Sequence, residues 1–277
     1  MAVNARLLLP FLMGQRRDGL RRVLELDPHP WELLAHAGLQ ETMIDDPIAK
    51  LHSLGLLYAQ LAERVAALVR DGRRPVSLAG DCVSSLGLLA GLQRACRSPE
   101  RVLWLDAHGD FHTWSSSQTQ YIGGMPLAMF AGRVDPGPDP RSRATRACLA
   151  AIGVQAAYPQ RQILLADARD LDPGEREALL GSQIQRCTLD EVLDHLRPRE
   201  RLYLHWDTDV IDDPLLMPAL KYHVRRGPSA ADMAALFEAL RYFDIVAVSV
   251  SAWHAEQDAD DRTARACLDL LNRLLGA

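Results

Sequence analysis

Two short segments carry acidic side chains at spacings suited to holding cations. Asp106-Ala107-His108-Gly109-Asp110 follows the apolar run Val102-Leu103-Trp104-Leu105, and Asp207-Thr208-Asp209 follows Leu202-Tyr203-Leu204 later in the chain. Alternate residues of an extended chain point to the same side. Asp106, His108 and Asp110 can therefore converge from one strand end, and Asp207 and Asp209 from another. Four carboxylates on one surface repel each other unless cations lie among them. The expectation is a metal centre with two ions. Hard oxygen ligands with an imidazole suit Mn2+. Two close ions sharing a water would lower its pKa and present hydroxide as a nucleophile, which is hydrolase chemistry. A single-ion amide hydrolase using only Asp106, His108 and Asp207 is the narrower alternative.

The elements that must position these groups follow from the apolar pattern. The chain has 277 residues, of which 48% are hydrophobic, enough for a full core. Its net charge of −5 gives no encouragement to nucleic-acid or anionic-membrane binding. No apolar run approaches the ~18 residues of a membrane span. Residues 7–13 contain Pro10 and precede Gln15-Arg16-Arg17, which suits a first strand better than a signal peptide. Five cysteines (Cys82, Cys96, Cys148, Cys187, Cys267) are scattered without CxxC pairs, a pattern expected in a reducing cytoplasm. Helical stripes are expected over 51–69, 84–92, 173–180, 189–196, 230–240 and 262–275, and strands over 75–79, 102–105, 163–166, 201–206 and 244–250. The Pro-, Gly- and Arg-containing stretch 135–146 reads as a surface loop. Such alternation indicates an α/β fold, a mainly parallel central sheet with helices on both faces, in one domain over residues 1–277. Ligands of such sheets bind beyond the C-terminal strand ends, where both acidic clusters lie.

Gly80-Asp81-Cys82-Val83-Ser84, the Asp106–110 segment, Asp207-Thr208-Asp209 with Asp212-Asp213-Pro214, and Gly124-Met125-Pro126 together resemble the ureohydrolases, the arginase and agmatinase superfamily. The resemblance runs from about residue 76 to 250. It implies a three-layer arginase-like fold, two Mn2+ per chain, a small amino-acid substrate and a homo-oligomer. Position by position, it implies that Asp106 and Asp207 bridge both ions. His108 and Asp209 would complete one shell, and Asp110 with residue 82 the other, Asp110 also relaying a proton to the leaving nitrogen. Residue 82 departs from the pattern, which has histidine there. Cys82 is either a soft, anionic ligand that draws Zn2+ or Fe2+ to that position or a buried non-ligand.

The segment Arg169-Asp170-Leu171-Asp172-Pro173-Gly174-Glu175 is similar to the arginase segment that recognises an α-amino group, through Asp172 and Glu175. The same residues also make an ordinary helix start, with Asp as N-cap and Pro at N1. His112, Thr119 and Tyr121 stand at the family's carboxylate-binding loop. Two further departures concern the far end of the substrate. The loop histidine used for proton transfer is Gly123, and the carboxylate expected after Asp244-Ile245-Val246 is Ala247. Tyr222, His223 and His254 are candidates for a replacement shuttle. A guanidinium is permanently cationic, whereas an N-hydroxyguanidine is much less basic and needs space for its extra oxygen. These departures resemble the hydroxyarginine-cleaving branch of the superfamily, found in antibiotic biosynthesis, which releases L-ornithine and hydroxyurea. An arginase or other guanidino-acid hydrolase releasing urea is the first alternative. A non-catalytic regulatory subunit on the same fold is the second.

Overall fold

A computed structural model describes residues 3–276. In chain order it runs β1 (Val3–Leu9), β2 (Phe11–Leu12), β3 (Gln15–Arg16), α1 (Val23–Leu26), β4 (Trp31–Leu33), α2 (Pro47–Arg70), β5 (Arg73–Ala79), α3 (Ser84–Arg94) and β6 (Arg101–Leu105). It continues with α4 (Pro126–Phe130), α5 (Pro140–Ile152), β7 (Ile163–Ala166), α6 (Pro173–Leu180), β8 (Gln185–Cys187), β9 (Arg201–Asp207), α7 (Ala230–Leu240), β10 (Asp244–Ser251) and α8 (Arg262–Leu275).

Eight strands form one sheet in the order β4-β1-β5-β10-β9-β6-β7-β8, every neighbouring pair parallel. Strands buried on both faces read as continuous apolar runs, as the central strands do. Leu7, Trp104, Leu165 and Tyr203 enter one core with α2, α3, α4 and α5. Leu8, Leu103, Leu105, Leu164 and Leu204 enter the other with α7 and α8. The period-two alternation thus feeds both cores of a three-layer structure.

Local chemistry sets the helix ends. Asp46 caps α2 by accepting from Ala49 N at 2.9 Å, with Pro47 in the first turn. Ser229 and Asp232 form a capping box at α7. Helix α3 is buried from Ser84 to Leu92 because it lies between the sheet and other helices, which explains its small, apolar composition. At the sheet margin, buried Arg6 and Asp27 pair at 2.6 Å, and Asp27 also accepts from Trp31 Nε1 at 2.7 Å.

Three expectations need correction. The first strand ends at Leu9, since Pro10 interrupts it, and residues 11–16 turn back in the β2–β3 hairpin. Residues 135–146 are not all loop: Asp139 caps α5, whose buried face carries Ser142, Thr145 and Cys148, residues too small and polar to mark an apolar stripe. Residues 189–196 make only a short 3-10 turn, Val192–His195, with Val192 its one buried side chain. No disulfide joins the cysteines, and no helix among the described residues is long and apolar enough to cross a membrane.

Candidate metal centre

The tips of β5, β10, β9 and β6 lie side by side, and the chain leaves them through Asp81-Cys82, Ser251, Asp207 and Asp106. Two groups of side chains gather there, Asp106-His108-Asp209 and Cys82-Asp106-Asp110, the ligand atoms of each lying within 4.8 Å of one another. Asp106 belongs to both. Asp207 belongs to neither, but its Oδ2 lies 2.8 Å from Cys82 Sγ. All four aspartates are at most 5% exposed.

The backbone around the cluster orients each acid. Asp106 accepts from Trp104 Nε1 (3.1 Å) and His108 N (2.8 Å), and Asp207 from Asp209 N (3.0 Å). Asp110 has φ of 49°, a left-handed conformation that Asp tolerates better than most side chains. Its Oδ2 is buried without a hydrogen-bond partner among the described residues. Burial, with repulsion from neighbouring carboxylates, pushes the pKa values of Asp110 and Asp209 well up. Burial pulls His108 down, but its contacts with Asp106 (3.4 Å) and Asp209 (3.3 Å) outweigh this and push it up to about 12. Excess buried anion, an orphaned carboxylate oxygen and an imidazole drawn toward the cationic form are what a site built around cations leaves when they are absent. The donor set fits two divalent ions.

The residues expected to bind an amino acid line the same cavity, of about 610 Å³. Arg169 N and Asp170 N both donate to Ala107 O at 3.0 Å, which stitches the segment after β7 to the loop after β6. Glu175, 4% exposed, accepts from Phe111 N at 2.8 Å. Burial, with the nearby Asp106 charge, pushes it up to about 7 despite that bond. A Cβ on Gly109 would lie 2.5 Å from the Glu175 carboxyl carbon, so glycine is what admits the acid. Asp172 occupies the N-cap position of α6 without a capping bond from its side chain. Its Oδ2 instead lies 3.3 Å from His112 Nε2. His112, Thr119, Tyr121, Asp172 and Glu175 all line the cavity together with the metal-cluster residues.

Two expectations about the far end are overturned. Ala247 pairs with Tyr203 and lies in the core, whereas Ser251 is the β10 residue opposite Asp207 and on the cavity wall. Four residues of strand separate them, about 13 Å, so Ala247 cannot stand where a substrate-binding acid would. A one-residue register shift between Ile245 and Ala247 sets Ser251 rather than Val250 opposite Asp207. Nor does Gly123 open free space. A Cβ there would lie 2.1 Å from Tyr121 Cε1, so the tyrosine ring fills the room, held by Tyr222 Oη donating to its hydroxyl at 3.0 Å. Tyr222 and His223 reach the cavity. His223 pairs with Asp212 at 2.6 Å, and His254 lies behind Tyr222 with 6.2 Å between ring centroids.

Sequence reasoning missed Lys221, although it is one of only two lysines among 31 basic residues. It is 4% exposed, lines the cavity, and donates to Gly80 O at 2.6 Å and Ser251 Oγ at 3.2 Å. Burial opposes its charge, but Asp207, Cys82, Asp209 and Asp81 outweigh that and raise its pKa. Asp81 was legible only as part of a motif. It accepts from Met13 N, Tyr58 Oη and Val83 N at 2.7, 2.7 and 3.1 Å, anchoring the loop that carries Cys82.

The pattern of the Arginase family matches residues 22–276. The chain belongs to the arginase family. The match extends beyond the stretch whose motifs show the likeness in sequence. An arginase of Schizosaccharomyces pombe is 27% identical over 256 residues, 79% of this chain and 74% of that protein. The N(omega)-hydroxy-L-arginine amidinohydrolase of Streptomyces lavendulae is 28% identical over 204 residues, 72% of this chain and 67% of that one. A solved structure of Bacillus subtilis arginase superposes with a TM-score of 0.79 over 99% of both chains at 24% identity, a likeness of fold. The chain is thus an arginase-family, metal-dependent hydrolase of the amidinohydrolase kind, acting on linear amidines.

Proposed function

We propose that the protein hydrolyses Nω-hydroxy-L-arginine to L-ornithine and hydroxyurea, with two Mn2+ held by Cys82, Asp106, His108, Asp110, Asp207 and Asp209. The observation that carries this reading is a single cavity. It joins the acidic cluster to an amino-acid cradle, while β10 reaches its far end with Ser251 rather than a carboxylate. The ions supply a water activated for attack on the amidine carbon.

The chain's own groups do the rest. Glu175 and Asp172 accept from the substrate α-ammonium, and His112 and Thr119 face its carboxylate, so the amidine carbon is held over the cluster. Positioning of this kind removes much of the entropic part of the barrier. Tyr121 and Tyr222 close the side of the cavity and restrict bulk water. Water oxygen becomes the carbonyl oxygen of hydroxyurea as the bond from the amidine carbon to the ornithine nitrogen breaks. Asp110, whose Oδ2 has no partner of its own, is placed to pass a proton to that departing nitrogen.

Purified, Mn2+-loaded protein assayed for ornithine, urea and hydroxyurea on arginine and Nω-hydroxy-L-arginine tests the reading. A higher kcat/KM on the hydroxylated substrate is expected. Faster urea release from arginine would overturn it in favour of arginase, and loss of turnover on both in a fully metallated sample would leave only a non-catalytic role.

A further inference from the structure

We propose that Lys221 determines specificity at this site: its fixed ammonium beside the β10 tip excludes substrates whose amidine end is cationic and selects those whose amidine end is uncharged. This rests on the reading above and names the physical device behind its substrate class.

Position along the sheet supplies the argument. The strand order β10-β9-β6-β7 sets the amino-acid cradle beyond β7, the acidic cluster at β6 and β9, and Ser251 with Lys221 at β10. Strands lie ~4.8 Å apart, so an extended amino acid anchored beyond β7 carries its amidine carbon to the cluster roughly 10 Å away and its terminal nitrogens toward β10. There it meets Lys221 Nζ, clamped between Gly80 O and Ser251 Oγ. An ammonium has three N–H donors, and these two bonds leave a third. Since the side chain is 4% exposed and lines the cavity, its charge is poorly screened by water. A guanidinium, cationic at every physiological pH, is repelled, whereas a neutral hydroxyguanidine offers a nitrogen or oxygen acceptor to the third N–H.

The chain itself prefers arginine elsewhere, with Lys50 and Lys221 its only lysines. The ammonium of Lys221 sits as a compact point charge between a carbonyl and a hydroxyl. The same ammonium faces Asp207 and Cys82, so it offsets the added negative charge when Cys82 binds metal as a thiolate.

Equilibrium binding to the Mn2+-loaded protein tests this without turnover. L-arginine and its uncharged isostere L-citrulline serve as probes against the parent, Lys221→Gln and Lys221→Arg, with manganese content and melting temperature recorded for each. The parent is expected to bind citrulline more tightly than arginine. At the ~4 Å of such a contact and an effective dielectric of ~20, loss of one unit charge changes affinity for a cation by up to roughly a thousandfold. Lys221→Gln should therefore bind arginine at least tenfold more tightly relative to citrulline, and Lys221→Arg should keep the parent preference. A parent that prefers arginine, or a Lys221→Gln variant with an unchanged ratio, overturns the proposal. The parent comparison decides even where a variant does not fold. Failure to turn over hydroxyarginine would defeat the functional reading alone, because the arginine-to-citrulline ratio still judges Lys221.

Discussion

Replacing Gly109 with alanine probes the amino-acid end without altering any acidic residue of the cluster. Gly109 does not have a positive φ, so alanine introduces no backbone strain and the effect comes from contact. The new Cβ would lie 2.5 Å from Glu175 Cδ and 2.7 and 2.8 Å from its oxygens, against 3.4 Å or more for an ordinary contact. The carboxylate must retreat by about 1 Å, which takes its 2.8 Å bond from Phe111 N beyond hydrogen-bonding range. A buried N–H left unsatisfied costs about 1–3 kcal/mol. The substrate α-ammonium loses a charged acceptor worth about 1.5–3 kcal/mol, a rise in KM of roughly 10- to 100-fold. Steady-state kinetics on Nω-hydroxy-L-arginine and on its des-amino analogue separates the two effects, since only the amino acid should show the rise. In a Glu175→Ala background the three atoms nearest the new methyl group are gone, so the double-mutant cycle should show a coupling of about 0.5–3 kcal/mol. Unchanged KM and melting temperature in Gly109→Ala, or additive effects in the cycle, would refute the assignment of Glu175 to the amino-acid cradle.

Four further outcomes follow from the geometry. Mn2+ at a hundredfold excess over its dissociation constant should stabilise the metal-free protein by about 2.7 kcal/mol per site, seen as a rise in melting temperature reversed by EDTA. Without metal, stability should fall as pH rises past 3.8 for Asp106, Asp110 and Asp209 and past 6.5 for His108, because the folded chain holds protons there that the unfolded chain releases. Asp207, held low, opposes this but is outnumbered. Mn2+ should reverse the slope, since protons compete for its ligands, and parallel slopes with and without metal would count against the site. Cys82→Ser should weaken Zn2+ binding by about tenfold or more and Mn2+ binding less; equal changes in a competition measurement would remove Cys82 from the ligand set. Asp27→Ala leaves buried Arg6 without its 2.6 Å partner and should cost about 3–5 kcal/mol in urea unfolding, a loss below about 1 kcal/mol being the contrary result.

What could be read from the chain was local in sequence. Asp106, His108 and Asp110 share a face because they stand two residues apart after a strand, and the same holds for Asp207 and Asp209. The sheet was legible because parallel strands buried on both faces must be apolar throughout. Relations set by distant contacts were not legible. The residue that β10 presents beside Asp207 depends on its pairing with β9 and on a one-residue register shift near its start, which puts Ser251 rather than Val250 there. Helix α5 hid behind a small, polar buried face, and the role of Tyr121 over Gly123 depends on a turn in which Gln120 has φ of 56°. Lys221 sits in an irregular stretch with no periodicity to place it, and only the packing of β5 against β10 brings Gly80 and Ser251 together to hold it.

The two departures from the familiar ligand pattern acquire a common physical logic in the folded chain. On the proposed reading, a metal-bound Cys82 thiolate in place of a neutral imidazole would add negative charge to a pocket that already holds four carboxylates, and such a pocket would attract cationic guanidines more strongly, not less. Lys221 reverses that tendency where it matters, at the end of the cavity farthest from Asp172 and Glu175. The acidic cradle beyond β7 would still favour an α-ammonium, while the ammonium beside β10 would disfavour a second cation. Discrimination between arginine and its hydroxylated form would then need no large change of shape, because the hydroxylated amidine is the weaker base and gives up its proton far more readily on entering such a site. On the proposed reading, charge at the strand tips, more than cavity size, is therefore the variable that would separate the hydroxylated substrate from arginine.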